Sequence, residues 1–244
     1  MGKLLEHLFR KAGRTYGTTK WVFTALSGTE EEAIKAEYAL GAYLSKEIGE
    51  QFPLDREGKK NEWLQNMGTR LSDRINHNKR KFTFAILNSP EVNAFALPGG
   101  FIFVTNLLLD FCESDENEIA FILGHEIGHV IKGHALDRMV ANSLIGAISK
   151  LGPGSGAVGG MAKQTLVKLL YSTYSQDQEL EADIFGIRIA DAAAYDAKAA
   201  LAFMQRLKDR RQDKDGLPIE KYFSNHPAHE VRLRNMRQYL SDNP

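Results

Sequence analysis

The sequence predicts an α+β protein, mostly helical, with a small sheet packed beside one apolar helix. Three observations carry that expectation. Between Asn117 and Met139, Ile119, Ile122, Leu123, Ile127, Val130 and Ile131 recur at helical spacing. Phe82 to Leu87 alternates as a strand does, and Phe95–Leu97 and Phe101–Thr105 read as two further short strands around a Pro98-Gly99-Gly100 turn. No apolar run reaches the roughly 18 residues of a membrane-spanning helix, and 43 % hydrophobic with 25 % charged residues is an ordinary globular composition.

Residues 1–26 mix Lys3, Arg10, Lys11, Arg14 and Lys20 with Leu4, Leu5, Leu8, Phe9, Trp21 and Phe23. Such a basic amphipathic segment either lies on a membrane surface or packs its apolar side on the domain or a partner subunit. Residues 27–244 are read as one domain, a length that can bury one substantial core. Ser27 with Glu30, and Thr29 with Glu32, fit capping boxes that open a helix running to about Gly49, before Pro53. A second helix is expected over Gly58–Asn76, followed by the strands. The apolar helix is expected to continue to about Lys150, where the glycine-rich stretch 151–160 interrupts it as a flexible loop, at most a lid. Helices over Ala162–Tyr174, Gln176–Ala192, Ala197–Arg211 and Pro227–Leu240 complete the chain, with Pro227 in a first turn.

The chemistry sits in the apolar helix. His125-Glu126-Ile127-Gly128-His129 reads H-E-x-x-H, and residues four apart share one helix face, so two imidazoles stand side by side. That is half of a tetrahedral zinc site, with Glu126 placed to take a proton from the attacking water. Gly124 and Gly128 each weaken a helix by roughly 1 kcal/mol relative to alanine, which close packing beside a metal site would explain. An extended form of the motif needs Gly at 132 and His at 135. The chain has Lys132 and Ala135, and His134, one place short, is expected to point elsewhere on the same helix. The third ligand is therefore sought in Glu179-Leu180-Glu181-Ala182-Asp183. Glu179 as ligand, with Asp183 one turn later bonding the outer nitrogen of a ligand histidine, is favoured; Glu181 is the competitor. His7, His77 and His134 read as surface or packing residues, and His229 as an exposed helix residue.

Several segments in order now resemble one family. Asn93-Ala94-Phe95-Ala96-Leu97-Pro98-Gly99-Gly100, then Phe101 to Val104, the H-E-x-x-H helix, Glu179 to Asp183, and His226-Pro227 with Arg232 are similar to the HtpX and CAAX-prenyl-protease family of gluzincin metallopeptidases. The resemblance covers roughly Glu30 to Tyr239 and is strongest to its soluble BepA-like and YggG-like branch. It implies a zincin-type fold, one Zn2+ per chain, and substrate binding along Asn93, Ala94, Phe95 and Ala96 as an added strand. Without it, these residues read as a plain hairpin over the core. The resemblance also brings His226 and Arg232 to the active site. His226 would either donate to the oxyanion or fill the open position on the metal and hold the enzyme off. One departure is Ala193-Ala194-Tyr195-Asp196, where the family often has glycine second; it is expected to alter a helix–helix turn only.

The expected activity is zinc-dependent hydrolysis of peptide bonds in unfolded or misfolded proteins. The rival is a peptidase scaffold acting as a chaperone or assembly factor, against which the intact Glu126 argues. A closed structural zinc site is disfavoured by three protein ligands that leave one position open. Thirty-one basic and thirty-one acidic residues cancel, which removes electrostatic support for nucleic-acid binding. A single cysteine, Cys112, allows no internal disulfide and no multi-cysteine metal site. No signal-peptide stretch follows Met1. The protein is thus expected to be either cytoplasmic or, as the resemblance implies, a periplasmic or envelope protein whose signal or lipid anchor has been removed. Contact with a membrane or with outer-membrane assembly machinery follows from the same resemblance.

Overall fold

The computed structural model describes residues 28–55, 58–75, 79–141, 172–212, 219–227 and 229–243. Residues 1–26, Ser27, His7, His77, the glycine-rich stretch and most of the helix expected over Ala162–Tyr174 lie outside them. The last three residues of that expected helix, Ser172 to Tyr174, are described and are not helical.

Helix α1 (Glu30–Gln51) opens on the capping box predicted for Thr29 and Glu32, with Glu32 N donating to Thr29 Oγ1 and Thr29 N to Glu32 Oε2. Strand β1 (Leu54–Asp55) precedes helix α2 (Lys59–Ser72), which ends before the expected Asn76. Strands β2 (Thr83–Leu87), β3 (Ala94–Leu97) and β4 (Phe101–Thr105) follow the predicted pattern, with Pro98–Gly100 as the tight turn. The sheet order is β1-β2-β4-β3, with β2 parallel to β4 and the other pairs antiparallel, so β3 is an outer strand. Alternation divides the core. Ala94, Ala96, Ile102 and Val104 join the cluster that includes the apolar helix, whereas Phe95, Leu97, Phe101 and Phe103 pack on Leu40, Leu44 and Ile48 of α1.

Helix α3 (Asn106–Phe111) was not foreseen; Thr105 caps it by accepting from Leu108 N. Helix α4 (Glu116–Ile131) carries the H-E-x-x-H motif and starts at Asp115, whose carboxylate accepts from Asn117 N and Glu118 N. It does not run on to Lys150. Gly133 takes a left-handed conformation (φ 76°) just after Lys132, and helix α5 (His134–Ala141) leaves in a new direction. Helices α6 (Gln176–Ala192), α7 (Ala199–Gln212), α8 (Glu220–Asn225) and α9 (His229–Asp242) follow. The last helix thus starts later than expected: His226 ends α8, and Pro227 lies between the two helices. His229 is not exposed as expected. It is half-buried beside the Phe223 ring, and burial, then the charge of Arg232, pull its pKa down to about 4.

Helices α4 and α6 touch nearly backbone to backbone. A methyl group on Gly124 would lie 2.7 Å from Ile189 Cγ2 and 3.0 Å from Gly186 Cα, and one on Gly186 would lie 2.8 Å from His125 N. The two glycines that weaken α4 as a helix are what let α6 approach it. At the far end of α6 the chain turns through Ala194 at φ 61°. Ala194 N donates to Asp191 O and Tyr195 N to Ala190 O, the hydrogen bonds of a glycine-type helix end built with an alanine.

Ala194→Gly is therefore expected to stabilise the protein by about 1 kcal/mol, raising Tm by roughly 2–4 °C in a calorimetric scan. Gly186→Leu overpacks the α4–α6 contact and should cost about 1–3 kcal/mol in urea denaturation. Because the folded His229 is depressed below its ordinary 6.5, its contribution to stability is present above that pH and lost as pH falls from 6.5 toward about 4. His229→Gln should flatten the acid side of the Tm–pH curve over that window.

Candidate metal centre

Helical spacing on α4 brings His125 Nε2 and His129 Nε2 within 3.0 Å of each other. Helix α6 presents Glu179, whose Oε1 lies 3.4 Å from His129 Nε2 and whose Oε2 lies 3.7 Å from His125 Nε2. The α8–α9 junction adds His226, with Nδ1 3.3 Å from His125 Nε2 and 3.1 Å from Glu179 Oε1. All four side chains are buried, and their donor atoms fall within 4.8 Å of one another. Ligands at zinc distances of 2.0–2.1 Å in a tetrahedron are separated by about 3.3 Å, so this spacing suits one ion. Glu181, the competing carboxylate, keeps 55 % of its side chain exposed and stands outside the cluster.

The surroundings fix which atoms face inward. His125 Nδ1 lies 2.9 Å from Asp183 Oδ1, an approach that favours the ring proton on Nδ1 and turns Nε2 toward the cluster. Asp183 is itself gripped by Arg232, Nη2 donating to Oδ1 at 2.6 Å and Nε to Oδ2 at 2.8 Å. Arg232 Nη1 reaches Glu179 Oε2 at 2.7 Å and donates to the His226 carbonyl at 3.4 Å. Burial alone would raise the Glu179 carboxyl, but Arg232, with His226 and His129, holds it well below the usual carboxylate range. Burial pushes His129 well below its ordinary value, so it is a neutral donor. Burial works to lower His226 too, yet Glu179 and Glu126 hold it above its ordinary value. Four donor atoms, one of them an anionic carboxylate, converge on one buried point with no side chain between them, as around a cation. The donor set therefore fits a metal.

Glu126 lies beside the cluster with both carboxylate oxygens buried and without a hydrogen-bond partner among the described residues; His226 Nε2 is 3.6 Å from its Oε1. Strand β3 runs past on the other side. Thr105 N donates to Asn93 O and Asn93 N to Thr105 Oγ1, and the β3–β4 register turns the carbonyls of Ala94 and Ala96 outward. This edge is not open as expected: residues 94–97 are all buried. His226 Nε2 approaches Ala94 O at 3.5 Å, and Arg138 donates to Ala96 O at 3.5 Å and to Ser172 O at 3.3 Å. Tyr174 stacks flat on His129 (centroids 3.6 Å, 12°), with Arg138 4.1 Å from the Tyr174 ring centroid.

A profile of peptidase family M48 matches residues 58–240, three quarters of the chain. This chain belongs to peptidase family M48. It is 26 % identical over 218 residues to the β-barrel assembly-enhancing protease of Escherichia coli K12, covering 84 % of this chain and 44 % of that protein. A putative β-barrel assembly-enhancing protease of Vibrio cholerae is 30 % identical over 197 residues (75 % of this chain, 40 % of that one). The mitochondrial metalloendopeptidase OMA1 of Schizosaccharomyces pombe is 27 % identical over 163 residues (66 % and 48 %). The chain thus spans less than half the length of these M48 relatives.

Of the residues singled out from sequence, His125, His129, Glu179, His226, Glu126, Asp183 and Arg232 gather in one buried cluster, and Ala94 and Ala96 border it. Missed were Tyr174, Arg138 and His134. His134 was expected to face away; instead its Nδ1 lies 3.0 Å from His129 Nδ1. The left-handed Gly133 after the motif was the available signal, because it ends α4 and folds His134 back. Arg232→Ala would leave Glu179 and Asp183 buried without their counter-charge. It should cost about 3–5 kcal/mol of stability in the metal-free protein, measured by urea denaturation.

Proposed function

We propose that this chain is the peptidase unit of a zinc-dependent endopeptidase that acts on unfolded or misfolded polypeptides and is latent in the conformation described here. The observation that carries the reading is the convergence of His125, His129, Glu179 and His226 at tetrahedral spacing beside Glu126, a buried carboxylate with no hydrogen-bond partner among the described residues. Two imidazoles and a carboxylate, with no cysteine near, suit zinc. When bound, such an ion supplies Lewis acidity and makes water acidic near neutral pH.

Glu126 accepts the proton of the attacking water and returns it to the leaving amine. The outward backbone groups of Ala94 and Ala96 receive an extended substrate as an added strand, which a folded chain cannot supply. His226 is the lock. Its Nδ1 fills the fourth vertex that a catalytic site keeps open, and with Arg138 it caps the two carbonyls that the substrate needs. Opening requires His226 to swing away. The relatives named for β-barrel assembly support an envelope location and misassembled envelope proteins as substrates. Among the described residues, no helix is long and apolar enough to cross a membrane.

Casein cleavage at equal zinc loading tests the reading. His226→Ala should cleave faster than wild type, by about tenfold if the closed state holds 90 % of the molecules. Glu126→Gln should lower the rate at least 10²-fold in either background. A slower His226→Ala enzyme would make His226 an oxyanion donor and not a lock. Absence of cleavage by every form, with one zinc bound per chain, would turn the assignment to a scaffold or assembly factor.

A further inference from the structure

Asp183 stands 2.9 Å behind His125 Nδ1, but among the described residues no carboxylate stands behind Nδ1 of its twin His129. His134 takes that place. It is 5 % exposed, and its Nδ1 lies 3.0 Å from His129 Nδ1, with the rings tilted 66° at 5.2 Å. On its far side, His134 Nε2 points to Glu181 Oε2 at 3.8 Å, at the protein surface. We propose that His134 positions His129, accepting its Nδ1–H so that Nε2 presents a lone pair to the metal; the inference rests on the zinc-site reading above.

The proton positions follow from one requirement. A neutral imidazole that offers Nε2 to a cation carries its proton on Nδ1. His129 Nδ1 is then the donor, so His134 Nδ1 is the acceptor and the His134 proton sits on Nε2, facing Glu181. Three side chains in a row have their roles fixed by geometry. Tyr174 stacked on the ring face prevents His129 from tipping out of plane, and His134 prevents it from rotating within the plane.

An imidazole in this place also solves a charge problem. Glu126, Glu179 and Asp183 are all at most 1 % exposed, and Arg232 is the fully buried cation bound to two of them. A fourth buried carboxylate behind His129 would add one more desolvated charge to this set. A neutral ring accepts the hydrogen bond without adding charge, and its far nitrogen lies 3.8 Å from the exposed Glu181. The device depends on Gly133, whose left-handed turn places residue 134 back over residue 129.

The test compares His134→Asn with His134→Leu. Both have the same branched shape, but only asparagine puts an acceptor where Nδ1 stood. Zinc affinity is read by competition with a chromophoric chelator, and folding by circular dichroism. His134→Asn should stay within about threefold of wild type, whereas His134→Leu should bind zinc 10–100-fold more weakly. Should His134→Leu unfold the metal-free protein, His134→Gln, polar but with its acceptor displaced, replaces it and should weaken binding at least tenfold. Long-range 15N–1H spectra of the zinc-loaded wild type should show the His129 proton on Nδ1 and the His134 proton on Nε2. His134→Leu or His134→Gln binding zinc as wild type does, or a proton on His134 Nδ1, would overturn the positioning role while leaving the metal site standing. A wild-type chain that binds no zinc would remove both.

Discussion

Everything at the centre depends on how closely α4 and α6 approach. Two of the gathered donors stand on one helix and the third on the other, and their atoms lie within 3.7 Å only because Gly124 and Gly186 let the backbones meet. Those glycines work against helix formation locally. The gain appears only in tertiary structure, where the contact fixes the lateral distance between His125 and Glu179 and the register between His125 and Asp183. The fold accepts a weaker helix for a tighter site.

Around that contact the polar groups form a closed set of obligations. Asp183 orients His125, Arg232 neutralises Asp183 and Glu179, and Arg232 also ties down the carbonyl of His226. A buried arginine with two buried carboxylates is not cheap, since each ion loses most of its hydration. Its value lies in specificity: bidentate geometry permits one arrangement of α6 and α9, and that arrangement is the one in which three elements aim their donors at one point. Glu126 is the exception: its carboxylate is buried with no hydrogen-bond partner among the described residues, and His226 Nε2 stays 3.6 Å away.

Much of this was legible in the sequence because the relevant signals are local. H-E-x-x-H, the alternation of Phe82–Leu87 and the Thr29–Glu32 cap each declare themselves within five or six residues. Glu179 over Glu181 could be favoured but not settled, since both sit on the same short stretch and only burial against α4 separates them. What could not be read was the end of α4. Apolar periodicity continues through Val130 and Ile131 toward Leu136 and Met139, and it hides a change of direction at Gly133. Misreading that turn sent His134 to the wrong side. The occupied edge of β3 was equally hidden, because Arg138, which bridges Ala96 to Ser172, comes from a segment with no motif of its own.

The position of Arg232 in the chain has a consequence for biogenesis. The ribosome delivers the histidine pair more than a hundred residues before the arginine that makes Glu179 and Asp183 tolerable in the interior. During synthesis, α4 can form early, but the carboxylates of α6 lack the counter-charge that would let them be buried against it. Closure of the charged centre therefore waits on a segment made more than a hundred residues after the motif helix.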